Sequence, residues 1–249
     1  MSDRTVSLFI PCLVDQVYPE MGWAMVRVLR HLGYDVDYRP DQTCCGQPAF
    51  NAGQWEEARQ VAGHCVKVFG DAATVVCPSG SCTAMIREFY PRLFEDDPSR
   101  TAAVRLGPKV REFSEFLHDQ GAGDQLRASL RARVGFHNSC HGYRELGLRD
   151  EARSILERVD GLELVEAPGE PVCCGFGGLF SVKYDSIAAA MASTRLENFM
   201  KLEIELLVSN DPGCIMHMRQ EAAENGFEPE ILHLAELLER ALNLKPAHA

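Results

Sequence analysis

The sequence predicts an α/β protein of two pseudo-symmetric repeats, each a small parallel sheet flanked by helices, with cysteines on loops at the C-terminal ends of strands. Three observations predict it. A lone cysteine, a Cys-Cys-Gly and a second lone cysteine occur as Cys12, Cys44-Cys45-Gly46 and Cys82, then again as Cys140, Cys173-Cys174-Gly175 and Cys214. Matching members lie 128, 129 and 132 residues apart by subtraction of their numbers, a regularity that scattered core thiols would not show. Short β-branched runs alternate with helical stretches in the same order in both halves. Each half also closes on a similar segment, Phe113-Ser114-Glu115-Phe116-Leu117 and Leu234-Ala235-Glu236-Leu237-Leu238.

In the first half, residues 5–10 read as a strand closed by Pro11-Cys12. Val17, Met21, Ala24, Met25, Val28, Leu29 and Leu32 follow the 3.6-residue period of a one-faced helix, and Gly33 suits its C-cap. A second strand at 34–39 leads to the Cys44-Cys45-Gly46 turn. Then come a helix at 55–69, a strand at 73–76 and a loop, Cys77-Pro78-Ser79-Gly80-Ser81-Cys82, into another helix. The second half repeats the order. It has strands at 133–137, 162–166 and 206–209, helices at about 143–159 and 186–200, and an Asn210-Asp211-Pro212-Gly213-Cys214 turn opening the last long helix. The division expected is a first repeat over 1–94, a connecting segment with the repeat-closing helices over 95–132, and a second repeat over 133–249. Alternating strands and helices imply parallel sheets with right-handed crossovers, whose functional loops gather at strand C-termini.

A chain of 249 residues with ten cysteines is long enough for real cores, and its formal charge of −11 argues against a nucleic-acid surface, which normally needs a basic face. No apolar run approaches the ~18 residues of a membrane span, so direct membrane insertion is not expected. The first residues carry no signal-peptide pattern. Adjacent cysteines in such a chain point to a reducing, cytoplasmic setting, where patterned thiols serve metals or catalysis more often than disulfides.

Four thiolates per repeat match the ligand count of an iron–sulfur cluster or of structural zinc. Zinc is the competing occupant of one site. It is disfavoured because tetrahedral zinc sites use Cys-x2–4-Cys knuckles, and the nearest approach here is Cys77-x4-Cys82 in one half only. Gly46 and Gly175 are expected where backbone crowds a cluster and needs positive φ, and Gly177 and Gly178 offer amides toward inorganic sulfide. His141, next to Cys140, and His137, at the end of the strand before it, are expected to line the second site, both as hydrogen-bonding neighbours rather than ligands. His217, one turn after Cys214, is a further candidate. Lys183 is weighed as a carboxylate binder against simple solvation, and Cys65 reads as packing.

The pattern resembles the CCG domain, the duplicated cysteine-rich domain found in heterodisulfide reductase and related iron–sulfur oxidoreductases. The short form is most similar to the lactate utilization protein A family. Cys-Cys-Gly-Gln-Pro, Pro-Ser-Gly-Ser-Cys, Ser139-Cys140-His141 and Cys-Cys-Gly-Phe-Gly-Gly with Phe180-Ser181-Val182-Lys183 carry the likeness over nearly the whole chain. The resemblance implies that Cys12, Cys44, Cys45, Cys82, Cys140, Cys173, Cys174 and Cys214 are cluster ligands, for clusters of the 4Fe-4S kind. It implies one component of a multi-part L-lactate oxidising system, with lactate or another 2-hydroxy acid as substrate. The fullest form of the motif ends in Cys-x-x-Cys, and here Ser79 and Asp211 stand in the place of the extra cysteine. A five-thiolate cluster is thereby put in doubt, with Cys77 as a substitute fifth thiolate at the first site. The ferredoxin-like cysteine segment of longer relatives is also missing, which implies a separate ferredoxin-like iron–sulfur partner. Two other readings stay open: a subunit for a heterodisulfide, another 2-hydroxy acid or a polyol phosphate, and a non-enzymatic zinc-stabilised scaffold.

Overall fold

The computed structural model describes residues 4–167 and 172–244. The first half runs β1 (Thr5–Leu8), α1 (Cys12–Gln16), α2 (Pro19–His31), β2 (Asp35–Tyr38), α3 (Gln47–Asn51), α4 (Trp55–Phe69), β3 (Val75–Cys77), α5 (Gly80–Ala84), α6 (Tyr90–Leu93), α7 (Arg100–Leu106), β4 (Val110–Glu112), α8 (Phe113–Asp119) and α9 (Ala122–Leu126). The second half follows as β5 (Ser129–His137), α10 (Cys140–Arg144), α11 (Glu151–Leu156), β6 (Asp160–Val165), α12 (Leu179–Lys183), α13 (Asp185–Met200), β7 (Leu206–Ser209), α14 (Pro212–Asn225), β8 (Glu230–His233) and α15 (Leu234–Ala241).

Two four-stranded, wholly parallel sheets result, in the orders β2-β1-β3-β4 and β6-β5-β7-β8. The fold class read from the cysteine duplication is the one observed. In each sheet the first strand has its successor on one side and the third strand on the other. The crossovers therefore leave on opposite faces, and a crevice opens at the C-terminal strand ends. The central strands β3 and β7 are buried along their whole length, as fits strands covered on both faces, whereas the edge strand β2 keeps Asp35 and Tyr38 in water.

Two local differences from the sequence reading have plain causes. Instead of one helix over 143–159 there are two short ones, α10 and α11. Gly147 takes φ +73° between them, and Leu148 is buried as the chain turns back. The strands β4 and β8 are too short for a period to betray them, and each is followed at once by a helix with a side-chain cap, Glu112 on α8 and His233 on α15.

The closing helices exchange places. The helix α15, which ends the second half, packs on α2 of the first, and α8 packs on α11 of the second. One continuous apolar core accordingly joins Leu8, Met25 and Leu29 to Phe136, Leu156 and Leu237. A second core joins Val14 and Met21 to Phe199 and Leu207.

Candidate metal centre

Each cysteine of the pattern sits just past a strand end. Cys12 opens α1 after β1, Cys44 and Cys45 lie in the loop after β2, and Cys82 is in α5 after β3. Cys140 opens α10 after β5, Cys173 and Cys174 follow β6, and Cys214 is in α14 after β7. All eight line a single cavity of about 180 Å³. The Sγ atoms of Cys12 and Cys44 are 3.7 Å apart, those of Cys45 and Cys82 3.3 Å, and those of Cys174 and Cys214 3.0 Å.

The two Cys-Cys turns are built alike. Gly46 and Gly175 adopt φ +82° and +88°, which turns the chain so that their amides donate to Cys44 Sγ and Cys173 Sγ, each at 3.4 Å. In each turn one thiol is poised as thiolate. Cys44 is held below its ordinary range by hydrogen bonds from Cys12 and Cys45, and Cys173 by those from Cys140 and Cys174. The same hydrogen bonds, together with burial, push Cys12, Cys140, Cys45 and Cys174 up. Buried and half-buried, mutually hydrogen-bonded sulfurs with backbone N–H donors make a donor set suited to a thiophilic metal or an iron–sulfur core.

Ser79 and Asp211 cap the helices that carry Cys82 and Cys214. The Asp211 Oδ1 accepts from the amides of Gly213 and Cys214 at 3.0 and 3.4 Å, and its Oδ2 accepts from Ser79 Oγ and the Ser81 amide at 3.0 and 2.8 Å. Ser79 Oγ in turn accepts from the Cys82 amide. This single carboxylate ties the two last-cysteine loops together across the repeats. Gly80 is needed there, because a Cβ would meet Ser139 Oγ at 2.4 Å.

Among the other residues singled out from sequence, His141, Gly177 and Gly178 line the cavity, and His141 Nδ1 is 3.9 Å from Cys140 Sγ. Gly46 and Gly175 shape the turns from behind it. His217 bonds the Ala188 carbonyl and stays off the lining, and Lys183 is exposed on α12. Cys77 is buried at the end of β3, its sulfur toward the Ser79 carbonyl, and Cys65 is buried on α4. His137 lies behind the lining, fully buried, with a ring nitrogen within 4.8 Å of the Cys174 and Cys214 sulfurs. Burial, then the nearby Arg195, pushes its pKa down to about 3.

Sequence reasoning missed Arg195 and Asn210. Arg195 is fully buried on α13 and donates to His137 Nδ1, while Asn210 Oδ1 accepts from the Ser139 amide. Burial lowers the Arg195 pKa to about 10, which leaves it charged at neutral pH. The signal for Arg195 was its place on the apolar face of a helix, one position before Leu196 and four before Phe199.

The model of the Cysteine-rich domain, CCG, matches this chain twice, over residues 6–87 and 134–219. The chain belongs to the CCG cysteine-rich-domain family. Curated relatives of the chain include proteins named for lactate utilization. The chain is 43% identical over 234 residues to Lactate utilization protein A of Geobacillus kaustophilus, covering 94% of this chain and 98% of that one. It is 39% identical to Lactate utilization protein A of Bacillus subtilis, with the same coverage. A hypothetical protein of Helicobacter pylori shares the fold with a TM-score of 0.70 at 9% identity, over 99% of this chain and 50% of that one. Among the described residues no helix is long and apolar enough to cross a membrane.

Proposed function

We propose that the chain is the iron–sulfur redox subunit of a multi-component L-lactate oxidising system, carrying electrons from lactate oxidation to a partner. The convergence of eight thiols from two repeats on one cavity carries this reading, and relatives named for lactate utilization supply the substrate class. Cys12, Cys44, Cys45 and Cys82 would hold one group, and Cys140, Cys173, Cys174 and Cys214 another. A bound iron–sulfur cluster supplies one-electron storage, so two sites suit the two electrons that leave lactate as it becomes pyruvate. The chain's own part is to present thiolates, donate backbone N–H to sulfur from Gly46 and Gly175, and exclude water by burial of Cys45, Cys82, Cys174 and Cys214.

Among the described residues, no lysine or arginine lines the cavity, and Asp211 adds a negative charge. A 2-hydroxy acid carboxylate would find no lysine or arginine to pair with there. The substrate therefore docks on a partner protein, and this chain passes electrons on to a ferredoxin-like partner, consistent with a cytoplasmic setting. Anaerobically purified protein should contain iron and acid-labile sulfide and bleach with reductant. Cys45→Ser and Cys174→Ser should each lower the iron content. Tightly held zinc without iron would favour a scaffold instead, and undiminished growth on lactate of a strain lacking the gene would remove lactate as the substrate.

A further inference from the structure

The two CCG repeats are folded alike but not charged alike. Three residues before Cys12 and Cys140, where the first strand of each sheet closes, stand Phe9 and His137. The long helices α4 and α13 bury their residues in the same order, from Ala58 and Ala188 to Phe69 and Phe199, and one matching inward position holds Cys65 in the first and Arg195 in the second. A neutral pair behind one quartet is thus replaced by a hydrogen-bonded polar pair behind the other.

Arg195 Nε donates to His137 Nδ1 at 3.1 Å. A ring nitrogen that accepts bears no proton, so the single proton of this imidazole is on Nε2. That Nε2 is buried, has no hydrogen-bond partner among the described residues, and belongs to a ring with a nitrogen within 4.8 Å of the Cys174 and Cys214 sulfurs. A protonated nitrogen has no lone pair to give a metal. It has a hydrogen to give a sulfur.

The geometry points to His137 as a hydrogen-bond donor, and not a ligand, to the sulfur atoms of the metal group held by Cys140, Cys173, Cys174 and Cys214, with Arg195 fixing its tautomer. The assignment rests on the cluster reading above. A hydrogen bond to sulfur and a buried guanidinium both favour added negative charge on a thiolate-bound cluster. This pair therefore raises the reduction potential of the second-repeat group, against Asp211, whose carboxylate caps the Cys214 helix where the first repeat has the uncharged Ser79. Phe9 and Cys65 give the first-repeat group no such donor.

The test compares the anaerobic parent with His137→Phe, which copies Phe9, with His137→Gln, which keeps an N–H donor, and with Arg195→Met. Iron and sulfide per chain are measured together with midpoint potentials, followed by electron paramagnetic resonance. His137→Phe should retain the parent's iron and sulfide while one reduction step moves to lower potential. His137→Gln should move it less, and Arg195→Met should move it in the same direction as His137→Phe. Loss of iron from a folded His137→Phe would make the histidine a ligand and overturn the assignment, as would unchanged potentials in all three variants. A parent without iron would sink the cluster reading instead. An Nδ1–H tautomer in the imidazole nitrogen spectrum of the metal-free chain would sink the His137 assignment alone.

Discussion

Glu112 and His233 show how the repeats use different residues for one task. Each ends the fourth strand of its sheet, is fully buried, and caps the closing helix by accepting a backbone N–H, from Ser114 for Glu112 and from Ala235 for His233 at 3.1 Å. Burial raises Glu112 to about 8 and lowers His233 to about 4. The two therefore act oppositely on stability. Folding holds the Glu112 proton more tightly than the unfolded chain does, so its contribution is full below the ordinary carboxyl pKa and is lost as pH rises through 8. Folding resists protonation of His233, so its contribution is full above the ordinary imidazole pKa and is lost as pH falls toward 4. Between pH 6.5 and 8 the parent should lose about 2 kcal/mol through Glu112, a slope absent from Glu112→Gln. Between pH 6.5 and 4 it should lose about 3 kcal/mol through His233, a difference absent from His233→Gln. Urea unfolding of the three proteins across pH 4–8.5 checks both, and parallel profiles would refute the assignment.

The turns that carry the paired cysteines are the elements on which the site depends, and their glycines can be ranked. Gly46 and Gly175 share a positive φ, so alanine at either place carries the left-handed cost of roughly 1–2 kcal/mol. At Gly46 a new Cβ would sit 3.3 Å from the Ala58 carbonyl, whereas at Gly175 it would sit 2.5 Å from the Ala188 carbonyl. Gly175→Ala should therefore destabilise more than Gly46→Ala, and thermal unfolding of both variants measures the order. Equal losses would mean that α13 shifts freely, against its burial. These glycines were legible because a Cys-Cys-Gly word occurs twice at matching spacing, and the long helices α4 and α13 were legible because the apolar period runs for several turns. The strands β4 and β8 were not, since three or four residues carry no period. Nor were the Arg195–His137 and Asp211–Ser79 bonds. The first joins residues 58 positions apart and the second residues 132 apart, and no local pattern encodes which loops a parallel sheet will bring together.

At the scale of the molecule, the exchange of closing helices decides how the chain unfolds. Were the repeats independent, each would hide its own sheet under its own helices. Instead α15 covers α2, α8 covers α11, and two of the three cores, the most extensive one among them, draw side chains from both halves, while the third lies within the first half. Exposing one sheet must strip apolar cover from the other, so the chain should melt as one cooperative unit. The sequence supplies a clean reporter, because its two tryptophans, Trp23 and Trp55, both lie in the first half. Leu207, fully buried in the central strand β7 of the second sheet, places a perturbation in the other half of the chain. Truncating it to alanine should cost roughly 2–5 kcal/mol. In a shared core that loss reaches the tryptophans, so in urea the fluorescence midpoint and the far-ultraviolet circular dichroism midpoint should fall together. A fluorescence transition that stays at the parent's midpoint while the dichroism splits into two steps would show two autonomous repeats. The shared cavity would then be a contact between separately stable units, and the Asp211 bridge would be expendable to their folding.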